Sequence, residues 1–295
     1  MVFAHWSASW PVLIGYVVVA GWHLTGLSRL VRRRADGATP VGGPGLAGLR
    51  REAALFHLGL LLVLLALVSP VGYWSDVYIW VRAMQTLLVA VVGPGLMVLG
   101  APWLAFRQLW RPGGGEVGAD RVARVSFWVS HPRVVVILFN VIFVCWQLPY
   151  LYDLAKANSG VALADHASLV AAGVLLWLQL ISSCPVTAPG SPLRRVVLIV
   201  GTVGVSTVLG MVLVFGNGVL YPAYANSAHH FMTVLDDQQL SGAVLWMGML
   251  PPLITAAVAL LSQWLNDEES AELSAGLNRL TAARRGGWPS RPVIR

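Results

Sequence analysis

The chain has 295 residues, 57% of them hydrophobic and only 11% charged, with a mean hydropathy of +0.69. A soluble fold of that size needs roughly 25% charged residues to cover its water-facing surface, so soluble enzymes, secreted disulfide scaffolds and disordered regulators are excluded. The net charge of +7 could signal nucleic acid or anionic lipid, but the positions of the basic residues assign it to membrane topology instead.

A helix needs about 20 mostly apolar residues to cross the hydrocarbon core. Seven stretches qualify: 10–30, 53–72, 77–99, 134–151, 163–184, 196–215 and 238–265. The predicted fold is an all-α polytopic bundle, with residues 1–265 forming one seven-helix membrane domain. The first stretch reads as a retained span. It lacks a basic leader and is too long for the core of a signal peptide. Arg29 and Arg32 to Arg34 follow it, with Arg50 and Arg51 before the second span.

Arg107, Arg111, Arg121, Arg124 and Arg133 lie between the third and fourth spans, around a flexible Arg-Pro-Gly-Gly-Gly break at 111–115. Arg194 and Arg195 lie between the fifth and sixth, and five more arginines occupy the tail. Eighteen of the 20 basic residues thus fall on one side, and only Arg82 and Lys156 fall elsewhere. By the positive-inside rule the N-terminus is outside and the C-terminus cytoplasmic. Residues 266–295 form a cytoplasmic tail. The acidic run Asn266 to Glu269, followed by Leu273, Leu277 and Leu280, suggests a short helix on the membrane surface.

Polar groups at membrane depth are costly and informative. Arg82 lies about a turn below the outer interface and shares a helix face with Thr86. It either snorkels to water or pairs with a carboxylate. The outer ends collect Asp76, Asp153, Asp165, Asp236 and Asp237. Each could also cap a helix start. With His166, His229 and His230 they outline a vestibule in which His166, Asp237, His229 and His230 are the candidate metal ligands. His23 and His57, in the inner halves of the first two spans, suit an interhelical hydrogen bond. Thr202, Ser206 and Gly210 form a small-residue stripe on the sixth span. Gly93-Pro94-Gly95 and Pro251-Pro252 should kink the third and seventh. Cys145 and Cys184 lie far apart in apolar runs, so no disulfide framework or CxxC motif is available.

The order of motifs resembles the CtaG family of bacterial cytochrome c oxidase assembly factors. The resemblance rests on Leu67-Val68-Ser69-Pro70, Met84-Gln85, Leu99-Gly100-Ala101-Pro102, His131-Pro132 and Trp146 to Tyr152. It continues in Asp165-His166, Gly173 to Trp177, Tyr221-Pro222-Ala223-Tyr224, Asp237 to Gly242 and Trp246, and it covers residues from about 10 to 265. It implies a multi-pass protein of the bacterial plasma membrane that aids maturation of a haem–copper oxidase by supplying copper. The implied partners are oxidase subunits or other membrane assembly factors, with the lipid bilayer as surroundings and no nucleic acid.

The family pattern has histidines where this chain has Arg82, Thr86, Gln147 and Ala162, and only His166 remains of five. The expected role is therefore that of a non-enzymatic scaffold in oxidase assembly, with copper binding reduced or lost. The alternative is copper transport or copper tolerance through the outer vestibule. In the family pattern position 82 faces the seventh-span Asp-Gln motif. Arg82 is accordingly expected to replace the metal and to pair with Asp237, or as second choice Asp165, in a structural clasp.

Overall fold

The computed structural model describes residues 9–35, 45–109, 131–183, 188, 190–224 and 232–286. Among these it is helical, with no β-sheet. Among the described residues six helices are long and apolar enough to cross a membrane. A seventh span results if the pair Pro132–Gln147 and Pro149–Ala157, bent by 69°, crosses as one unit. The bundle's outer surface is apolar: Val197, Val200 and Val208 are each 63–64% exposed. Such a surface belongs against lipid, and the protein is an all-α polytopic membrane bundle.

Helix α1 (Trp10–Ala35) packs on α2 (Leu46–Val68) and on α6 (Trp103–Leu109). It approaches α6 so closely that a Cβ on Gly26 would overlap the Ala105 carbonyl. Ser69 ends α2 and caps the short α3 (Pro70–Ser75), its hydroxyl accepting the Val71 N–H.

The third span joins α4 (Ile79–Leu87), a π-helical turn (Leu88–Val92) and α5 (Gly93–Leu99). It is the central element, with 72% of its apolar window buried against 17–39% in the other spans. The π turn lies where Pro94 withdraws a backbone donor, and a proline ring would crowd the preceding turn of a regular helix. The Trp177 indole donates to the Val91 carbonyl at this break, 2.8 Å away. The sequence placed a kink here; the chain answers Pro94 with a wider turn.

Helices α7 (Pro132–Gln147) and α8 (Pro149–Ala157) meet at Leu148, ahead of Pro149. Helix α9 (Ser159–Leu180) begins at the Asn158 cap, whose side chain accepts the Gly160 and Val161 N–H groups. The fifth span therefore starts four residues earlier than expected. Helix α10 (Pro192–Val214) lies along α11 (Val234–Gly286). The small-residue stripe is their contact: Thr202, Ser206 and Gly210 are buried, and a Cβ on Gly210 would stand 2.8 Å from the Gly242 carbonyl. Helix α11 runs unbroken through Pro251-Pro252 and through Asn266 to Glu269. The expected separate tail helix is thus the continuation of the last span.

Helices α1, α4, α9 and α11 begin, and α2 and α10 end, at one end of the bundle, here named the Arg82 end. A core of Leu176, Leu180, Leu245, Met249 and Leu253 fills the centre.

Candidate functional site

Arg82 sits in the first turn of α4 and is only 7% exposed. Its Nη2 donates to Asp165 Oδ2 on α9 at 3.3 Å, and its guanidinium carbon lies 4.0 Å from the centroid of the Tyr152 ring. A buried guanidinium needs both a counter-charge and weakly hydrating surroundings. The carboxylate and the aromatic face supply them. The other carboxylate oxygen, Asp165 Oδ1, is buried without a hydrogen-bond partner. Thr86 shares the helix face of Arg82, as its spacing requires, and its hydroxyl donates to the Arg82 carbonyl at 2.9 Å.

Tyr152 belongs to an aromatic cluster with Tyr221 and Tyr224, at centroid distances of 4.3 and 5.7 Å. Tyr221 donates to the Gln147 carbonyl and Tyr224 to the Ser75 carbonyl. Burial pushes the Tyr221 phenol up and the Tyr224 phenol up to about 12, against the opposing pull of Arg82. Both therefore remain neutral donors. Lys156 Nζ lies 3.5 Å from the centroid of the Tyr224 ring and donates to the Ala223 carbonyl at 2.9 Å. Two cations are thus each fixed on a tyrosine face. None of these tyrosines stood out in the sequence, where Tyr-x-Tyr and Tyr-Pro-Ala-Tyr served only as family markers.

Asp237, fully buried, has a different role. Its two carboxylate oxygens accept the backbone N–H groups of Ile79 at 2.8 Å and Trp80 at 3.0 Å. Helix α4 has no side-chain cap of its own at Tyr78, so a carboxylate from α11 caps it from outside. Gln238 works similarly, accepting from the Leu220 N–H and donating to the Gly218 carbonyl. Gln85 donates to the Ala66 carbonyl at 2.8 Å. The polar residues of these motifs hold helix ends together.

A cavity of about 500 Å³ opens at the Arg82 end. Its lining includes Ser75, Asp76, Arg82, Gln85, Lys156, Ala162 and His166. Asp76 stands at the exposed mouth. Crowding by surrounding protein lifts its carboxyl above the usual range, while Arg82 and Lys156 draw it back down.

Three of the five positions of the implied ligand set, 82, 162 and 166, meet around this one cavity, while Thr86 and Gln147 are not in its lining. Of the candidate metal ligands, His166 lines it and Asp237 does not; His229 and His230 lie outside the described residues. The clasp expectation placed Asp237 first and Asp165 second. The ion pair runs to Asp165.

Copper takes imidazole, thiolate and thioether donors. Arg82 is a permanent cation, Ala162 has no donor atom, and the Thr86 hydroxyl is engaged by its own helix. Among the described residues no three His, Cys, Asp or Glu side chains are grouped to hold a metal. This donor set does not fit a copper site. At the opposite half of the bundle, His23 Nδ1 and His57 Nε2 lie 3.2 Å apart in a Phe56–Phe106 pocket. That is the interhelical hydrogen bond the sequence suggested.

A family model described as the cytochrome c oxidase caa3 assembly factor, Caa3_CtaG, matches residues 21–267, and the chain belongs to this family. No curated protein and no solved structure matches the chain.

Proposed function

We propose that this member of the caa3 assembly family acts as a membrane assembly or accessory factor for a haem–copper cytochrome c oxidase by holding a partner rather than by passing copper. One observation carries the reading. Arg82, paired with Asp165 from outside the lining, stands in the cavity wall at a position where the family pattern implies a histidine. A guanidinium there opposes a metal cation and gives it no ligand. Binding of an oxidase subunit or another assembly factor, rather than catalysis, is the role that remains.

In this reading the Arg82 end faces outward, in accord with the arginine distribution in a bacterial plasma membrane. A reporter fused after residue 295 then signals from the cytoplasm.

The test is a deletion strain. Oxidase absorbance and activity should fall while oxidase transcripts persist, and both wild type and His166→Ala should restore them. Unchanged oxidase in the deletion strain contradicts an assembly role. Failure of His166→Ala to complement contradicts a scaffold that works without copper.

A further inference from the structure

The cavity at the Arg82 end has chemistry that a scaffold does not use. Its volume of about 500 Å³ lies in the range of small-ligand sites, roughly 300–1,000 Å³. Four elements bring titratable groups to it: Asp76 after α3, Arg82 on α4, Lys156 on α8 and His166 on α9.

Two of these are full cations and one is an acid. Asp165, which balances Arg82, approaches it from outside the cavity lining. Both cations are pre-positioned. Arg82 is fixed over Tyr152, and Lys156 over Tyr224 with a bond to the Ala223 carbonyl. Fixing the donors in advance reduces the entropy lost when a ligand binds. A guanidinium suits the paired oxygens of a carboxylate or phosphate, and an ammonium adds a point charge. Buried Ser75 and Gln85 complete a polar lining.

We propose that this cavity is a binding site for a small oxyanion, a carboxylate or phosphate, held by Arg82 and Lys156. The anion comes either free from water or on the headgroup of an anionic lipid. The lipid source is open to it because Ser9 and Val12, at the start of the membrane-crossing α1, form part of the wall. Binding here does not depend on the oxidase role.

The test uses the full-length protein in nanodiscs of zwitterionic lipid, titrated with acetate or inorganic phosphate and followed by calorimetry and melting temperature. A parallel arm replaces part of the lipid with phosphatidylglycerol. Binding stabilises the folded state in proportion to occupancy. Lys156→Met should weaken the anion effect about tenfold or more, since it removes one charge-assisted bond. Asp76→Asn should bind at least as tightly as wild type, because it removes the acidic group of the cavity lining. A saturable effect of the free ions assigns a soluble anion; stabilisation confined to the phosphatidylglycerol arm assigns a lipid headgroup. Each variant is compared with its own unliganded melting point, so a mere folding defect does not imitate the result. No saturable effect in either arm, full retention in Lys156→Met, or weakening by both variants overturns the proposal.

Discussion

Asp165 and Asp237 are both buried, 3% and 0% exposed, and both belong to spans that start at the Arg82 end. Their partners differ in kind. Asp237 is the fourth residue of Val234–Gly286, beside the uncapped first turn of α4, and two backbone N–H groups satisfy it. Asp165 lies deep in α9, whose first turn Asn158 already caps, so no orphan N–H is at hand. Its partner is a guanidinium, with one oxygen left bare. A buried carboxylate takes whichever donor the local backbone leaves unpaired. Only where the backbone offers none does it need a cation.

The largest expected effect breaks the Asp165 side of this comparison. Arg82→Ala should destabilise by ~3–5 kcal/mol, because it leaves a buried charge uncompensated. Adding Asp165→Asn should recover more than half of the loss, read by unfolding in mild detergent. A cost below ~1 kcal/mol, the range of an exposed pair, would rule out the buried clasp.

Next comes Asp237→Ala, expected to cost ~2–3 kcal/mol for two buried N–H groups and a lost cap. Double-mutant cycles sharpen the contrast. Arg82 should couple more strongly to Asp165 than to Asp237. The reverse order would restore Asp237 as the partner of the arginine.

The smallest effect is at the aromatic support. Tyr224→Phe removes one hydrogen bond to the Ser75 carbonyl and should cost ~1 kcal/mol. No measurable change would mean that the phenol does not help to fix the cluster.

The apolar stretches were legible because hydrocarbon permits few charges, and the stripe Thr202–Ser206–Gly210 because close helices need small residues. Pairing with a carboxylate was legible as one of two readings of Arg82, beside snorkelling to water. Which carboxylate was not. The choice depends on α4 starting without a cap at Tyr78 and α9 starting with one at Asn158, and both are features of backbone geometry. The signal for the second was the run Asn158-Ser159-Gly160, a good helix start seven residues ahead of Asp165. The acidic run at Asn266 to Glu269 resembled a helix start, but no Gly or Pro breaks the chain there, and α11 continues through it. The tyrosine cluster was hidden because its members come from two distant motifs, which only the fold brings together.

The proposed function rests on Arg82, paired with Asp165, standing where the family pattern implies a histidine, and on the proposal that this site therefore holds no copper. The direct measurement is copper content per chain after loading the purified protein with Cu(I) under reducing conditions, beside His166→Ala and the triple variant Arg82→His/Thr86→His/Ala162→His. The account predicts no His166-dependent copper in the wild-type protein and a gain of bound copper in the triple variant. One copper per wild-type chain, lost in His166→Ala, would contradict it.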